Sequence, residues 1–183
     1  MPDPHAALVA HLSEHALRTD GPFTLRSGAV ADWYMDARQT TFDGAGAQLV
    51  GEAVVEALDS RVVAVGGLTM GADPIAIATA IAASRAGRRV KAFSIRKEAK
   101  DHGTGGRLVG PARAGDAVCL LEDTTTTGGA FFEAYDAARD SGLEVVQAIC
   151  LFDRSGPIVT DRMAEAGVPY EALVVPADLG VSL

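Results

Sequence analysis

An α/β fold built on a mostly parallel five-stranded sheet is predicted by three features of this 183-residue sequence. Apolar runs recur at Arg61–Gly66, Val90–Ile95, Ala117–Leu121, Val145–Phe152 and Glu171–Val175, most of them continuous, as strands covered on both faces require. Ala-rich stretches of helical length fall at 43–58, 72–86, 129–141 and 157–166. Their alternation with the strands implies right-handed crossovers and a parallel sheet flanked by helices.

Taken in order, residues 4–18 read as a helix. Phe23–Leu25 and Trp33–Arg38 flank Ser27-Gly28 and predict a small hairpin. The whole chain, 1–183, reads as one domain, with 1–40 and 176–183 forming a cap over a core at 41–175. Gly-rich loops at 66–71, 103–110 and 128–129 follow the first three strands, at the sheet end where α/β proteins bind ligands. A hydrophobic content of 48% is ample for one core. Cys119 and Cys150 sit inside apolar runs and read as buried strand residues. The net charge of -8 argues against nucleic acid or anionic membrane as partner, which needs clustered Lys and Arg. With no basic-plus-apolar leader and no 18-residue apolar span, a cytoplasmic protein is expected.

The third run ends abruptly in Glu122-Asp123-Thr124-Thr125-Thr126-Thr127-Gly128-Gly129-Ala130. Two carboxylates can accept hydrogen bonds from vicinal ribose hydroxyls and help hold a hydrated divalent cation. Hydroxyls and backbone N–H groups at the following helix start can surround a phosphate dianion. Helix capping alone would need only one such residue. A P-loop, Gly-x-x-x-x-Gly-Lys-Ser/Thr, is absent. Phe93-Ser94-Ile95-Arg96-Lys97-Glu98-Ala99-Lys100-Asp101-His102-Gly103 concentrates cations in an acidic chain and then dissolves into glycine. A mobile loop over 98–110 could close on a diphosphate. An exposed helical turn, with Lys97/Asp101 and Glu98/His102 at i,i+4, would also account for these charges.

The acid-threonine-glycine run resembles the phosphoribosyl-diphosphate (PRPP) signature of the type I phosphoribosyltransferases, and 96–103 resembles the catalytic loop of the orotate phosphoribosyltransferases. Three further segments are similar to that family. Phe23-Thr-Leu-Arg26-Ser-Gly28 with Trp33-Tyr34-Met35-Asp36-x-Arg38 resembles its base-pocket segment, with Arg26 where the family commonly has lysine and Ala29–Asp32 where it has Arg-Lys-Ser-Pro. Gly66-Gly67-Leu-Thr69-Met70-Gly71 resembles its diphosphate loop, without the lysine that many relatives place near Met70. Phe152-Asp153-Arg154 matches its Asp-Arg, although Ser155-Gly156-Pro157 departs from the usual Gln-Glu-Gly.

The resemblance implies the type I phosphoribosyltransferase fold, a five-stranded sheet with a hood from the N-terminal segment and C-terminal tail. It also implies transfer of phosphoribosyl from PRPP to orotate in pyrimidine biosynthesis. Arg96, Lys97, Lys100 and His102 would meet the diphosphate, Glu122 and Asp123 the ribose hydroxyls, and Thr124 to Ala130 the 5′-phosphate. Thr126, Arg154, Arg26 and Tyr34 would meet orotate. Mg2+ would enter bound to PRPP and water rather than in a protein cage. A homodimer is implied, with Lys97 acting within its own subunit and Arg96, Lys100 and His102 reaching the neighbouring site. A phosphoribosyltransferase for another base, or a non-catalytic PRPP sensor, would share the cradle.

Overall fold

The structure, a computed structural model, describes residues 4–24, 28, 30–100 and 106–182, the last two residues of the 30–100 stretch by backbone alone. Helix α1 (Pro4–His15) leads into β1 (Leu17–Arg18), which pairs antiparallel with β4 (Tyr34–Met35). Between them β2 (Phe23–Thr24) pairs antiparallel with β3 (Val30–Ala31). The expected hairpin is therefore closer-set than the sequence indicated: 23–24 pairs with 30–31, and 34–35 pairs back to 17–18 of β1. A short α2 (Arg38–Thr41) and α3 (Gly44–Ala57) follow. Asp43 caps α3, its Oδ1 accepting from Ala45 N and Gly46 N at 2.9 Å each.

The core sheet contains β5 (Ala64–Leu68), β6 (Lys91–Lys100), β7 (Gly106–Val109), β8 (Ala117–Thr125), β9 (Glu144–Asp153) and β10 (Tyr170–Val174). Its spatial order is β10-β9-β8-β5-β6-β7. The five predicted runs supply the parallel strands, and β7 adds a sixth, antiparallel to β6, with Ile95 opposite Leu108 and Lys100 opposite Gly106. Two expectations change as a result. Residues 106–109, assigned to a Gly-rich loop, are strand, and 98–100, placed at the start of the mobile loop, are the end of an extended β6, so the alternative of a helical turn does not hold over 97–100. Gly66 and Gly67 also lie within β5 rather than in the loop after it.

Helices α4 (Ala72–Arg85), α5 (Gly129–Asp140) and α6 (Pro157–Glu165) complete the crossovers. In β8 the two faces separate by strict alternation. Val118 and Leu120 pack among Phe131, Ala134 and Ala138 of α5 and Met163 of α6, while Cys119 and Leu121 pack among Val50 and Val54 of α3 and Ile75 of α4. Both faces are thus dry, which is why the run reads as continuously apolar. Cys119 and Cys150 are buried and form no disulfide. The tail folds back through a 3₁₀ turn (Pro176–Leu179), and Trp33 Nε1 donates to the Ser182 carbonyl at 3.0 Å, joining the two ends of the chain. No described helix is long and apolar enough to cross a membrane.

Leu120 has no accessible surface. Leu120→Ala is expected to lower unfolding free energy by about 2–5 kcal/mol in urea denaturation, the range for a poorly collapsible core site.

Candidate active site

The C-terminal ends of β5, β6 and β8 open into a cleft of ≈ 580 Å³ lined by Leu68, Thr69, Met70 and Gly71, by Lys97, and by Glu122, Asp123, Thr124 and Ala130. Residues Tyr34 to Arg38 form the opposite wall. The sheet creates this cleft because β8 continues past its apolar part: the alternation that buries Leu120 and Leu121 carries on into Glu122 and Asp123.

Glu122 is only 7% exposed, and its Oε2 has no hydrogen-bond partner among the described residues. Burial, reinforced by the negative charge of neighbouring Asp123 and opposed by Lys97, pushes its carboxyl up to about 9. A buried acid with an uncommitted oxygen fits a ligand hydroxyl or a hydrated cation brought in with a ligand. Asp123 is fixed differently. Its Oδ1 accepts from Thr124 N at 2.7 Å, and the start of α4 packs directly on it: a Cβ added at Gly71 would lie 2.6 Å from Asp123 Oδ1. Gly71 is required there for that close approach.

The threonines divide into roles that the sequence did not separate. Thr125 is buried, and its Oγ1 accepts from Gly128 N at 3.2 Å, so its hydroxyl supports the turn from within. Thr124 is half-buried in the cleft, while Thr126 and Thr127 are exposed. Gly128, at φ 77°, is the N-cap of α5 and carries no capping side chain. The hydroxyls of 126–127 and the first N–H groups of α5 are therefore not consumed by capping, which leaves the helix start able to take an anion.

Lys97 lines the cleft; Arg96, one residue earlier, is half-buried and does not line it. Lys100 ends β6, described by backbone only, and Arg26 and His102 lie outside the described residues. Tyr34 is 37% exposed and lines the cleft. Arg154 stands apart from the acid pair. Its backbone N donates to Thr125 O at 3.0 Å, tying the ends of β8 and β9, but its side chain enters a second cleft of ≈ 590 Å³ with Trp33, Asp32 and the tail residues 180–182. Neighbouring Asp153 is structural: its Oδ1 accepts from Ser155 N at 2.6 Å and its Oδ2 from Tyr170 OH at 2.7 Å.

Two features escaped the sequence reading. Arg38 is a second cation on the cleft wall, held by Asp36 through an Nε–Oδ1 hydrogen bond of 2.7 Å that keeps the Asp36 carboxyl below the usual carboxylate range. The Asp36-x-Arg38 spacing was its only signal. Thr69 Oγ1 donates to Asp73 Oδ2 at 2.6 Å, bracing the loop that carries Met70 and Gly71.

A parallel sheet in this order, with an acid pair and a threonine-glycine turn at the end of β8, has the fold of the type I phosphoribosyltransferases. No family model matches the chain. Full-length similarity is nonetheless extensive. An orotate phosphoribosyltransferase from Streptomyces avermitilis is 43% identical over 182 residues, 99% of this chain and 100% of its own. The crystal structure of Mycobacterium tuberculosis H37Rv orotate phosphoribosyltransferase in complex with Fe(III) dicitrate superposes with a TM-score of 0.88 at 35% identity, covering 98% of this chain and 100% of that one. The complex of the same enzyme with PRPP gives 0.83 at 31% identity, again over 98% and 100%. The chain belongs to the orotate phosphoribosyltransferase family.

Glu122 yields a stability prediction with a definite sign. Its carboxyl is raised in the folded chain, so the folded state holds a proton that the unfolded state loses above the ordinary carboxylate range. Stability from this group is full below that range and is lost as pH rises toward about 9. Glu122→Gln is therefore expected to raise the melting temperature at pH 8 by at least about 2–4 °C, with a much smaller gain near pH 4.5, in thermal scans at both pH values.

Proposed function

We propose that this chain transfers the phosphoribosyl group of PRPP to orotate, giving orotidine 5′-phosphate and diphosphate in de novo pyrimidine synthesis. The observation that carries the reading is the cleft at the end of β8, where buried Glu122 and half-buried Asp123 adjoin an uncapped helix start and a cationic wall. Orotate N1 bonds to the anomeric carbon and loses its proton as the carbon–oxygen bond to diphosphate breaks, the bonding pair leaving with diphosphate. The reacting carbon passes through an oxocarbenium-like state, so positive charge grows on the sugar while negative charge grows on the leaving group.

Glu122 and Asp123 hold the ribose hydroxyls beneath that carbon; the negative charge of Asp123 favours its cationic character, while the protonated Glu122 acts as a hydrogen-bonding group. Thr124, Thr126, Thr127 and the backbone of Gly128, Gly129 and Ala130 take the 5′-phosphate, with Thr125 bracing them from inside. Lys97 meets the diphosphate within its own subunit. Arg38, on the same cleft wall, supplies a cation in a loop region where Met70 stands in place of a lysine. Arg154 and Thr126 orient orotate, with Arg26 and Tyr34 bordering the base, since a planar guanidinium suits a carboxylate. The unpartnered Glu122 Oε2 and adjacent Asp123 fit a Mg2+ that arrives with PRPP and water; the ion supplies charge neutralisation to the diphosphate.

Arg96, Lys100 and His102 act on the neighbouring subunit's diphosphate in a homodimer. Two features support this arrangement. Arg96 does not line its own cleft, and Ile77 and Ile81 of α4 are 57% and 51% exposed on one helical stripe, an apolar surface that a second copy would cover. Charged, membrane-impermeant substrates support a cytoplasmic location.

The direct test is loss of orotate absorbance on adding PRPP and Mg2+, beside hypoxanthine, adenine and uracil; consumption of another base alone would contradict the acceptor. Lys100→Ala is expected to lower kcat about 10²–10³-fold, more than it weakens PRPP binding. Mixing Lys100→Ala with Asp123→Ala subunits should restore part of the activity in verified heterodimers, and no recovery would place the loop in its own site.

A further inference from the structure

We infer that Trp33 is a positioning residue for the base acceptor: its ring sets where the Arg154 guanidinium stands, and the C-terminal tail sets the ring. The inference rests on the role proposed above for Arg154. The indole is 8% exposed and meets three groups from three parts of the chain. Arg154 Cζ lies over its face, 4.4 Å from the centroid. Its Nε1–H donates to the Ser182 carbonyl at 3.0 Å. It packs T-shaped against Phe152, with 6.0 Å between centroids and 87° between planes.

Phe152 is itself fully buried near the end of β9, two positions before Arg154. The sheet therefore fixes the ring from one side, the tail carbonyl fixes its rotation, and the ring presents a flat face to the guanidinium. Stacking of this kind engages the guanidinium face and leaves its in-plane N–H donors pointing outward. Among the described residues the Arg154 guanidinium makes no hydrogen bond or ion pair, so that donor fork is open to the cleft it shares with Trp33. A long side chain otherwise loses rotamer freedom when it grips a carboxylate, and stacking removes much of that loss beforehand. Hood and tail thereby act together on affinity for the acceptor, while the acid pair that faces the donor lies in the other cleft.

Trp33 is the single tryptophan of the chain, which makes its emission a reporter of the stack. Kinetics of wild type, Trp33→Leu, Trp33→Phe and a chain ending at Val181 should be measured in both substrates, together with tryptophan lifetime in wild type and Arg154→Gln titrated with orotidine 5′-phosphate. Trp33→Leu is expected to raise the orotate KM roughly five- to tenfold, with the PRPP KM and kcat within about twofold. Trp33→Phe, which keeps a ring but lacks the N–H, and the truncated chain should each raise the orotate KM about two- to threefold. Wild-type lifetime should change on adding the nucleotide, and that change should vanish in Arg154→Gln. An unchanged orotate KM in Trp33→Leu, an equal rise in both KM values, or the same lifetime response in Arg154→Gln would overturn the role. If Trp33→Leu fails to fold, Trp33→Phe decides, an unaltered orotate KM counting against the inference. A wild-type chain that leaves orotate unconsumed refutes the acceptor itself, whereas orotate turnover with Trp33→Leu unaltered refutes only the positioning role.

Discussion

Placing a carboxylate under cover at the end of β8 is the constraint on which the rest of the site depends. Glu122 keeps its low exposure because β8 is flanked by β5 and β9 and covered by helices on both faces. Its neighbour Asp123 is locked by Thr124 N and by α4, whose first turn fits only because residue 71 has no side chain. Moving either wall would let water reach Glu122 and return it to an ordinary surface carboxylate. The raised Glu122 carboxyl is thus a cost borne by the fold, offset by dry packing a few residues earlier in the same strand.

On the proposed reading, the charges suit a transition state that is cationic at its reacting carbon and anionic at both ends. Acid lies at the floor of the cleft, neutral donors at the start of α5, and cations on the walls at Lys97 and Arg38. Each group comes from a different element, so the sheet order, rather than any one motif, brings them together. The second cleft, proposed for the acceptor, is built separately, from the N-terminal segment, the tail and the end of β9. The backbone bond from Arg154 N to Thr125 O is the link between the two halves.

Much of this was legible in the sequence, for physical reasons that differ by element. The parallel strands announced themselves because two-sided burial leaves no polar alternation, and Glu122-Asp123-Thr124 stood out because so abrupt a change of polarity ends an otherwise apolar run. Strand β7 was hidden because Gly106-Arg107-Leu108-Val109 follows a glycine run and carries only two apolar residues. Composition also misplaced Gly67, which serves close strand packing: a Cβ there would lie 2.2 Å from Leu121 O. The split among the threonines could not be read at all, since it depends on which hydroxyl turns inward. Nor could the stack of Arg154 on Trp33, which joins residues far apart in the chain.

The central claim is that the acid pair closing β8 is the seat of the phosphoribosyl donor. Calorimetric titration of PRPP with Mg2+ onto wild type and Asp123→Asn, without any base present, tests it most directly. Loss of hydrogen bonds to a charged acceptor predicts PRPP affinity about 10–100-fold weaker in Asp123→Asn, with the melting temperature little changed. Equal affinity in the two proteins would contradict the account and place the donor elsewhere.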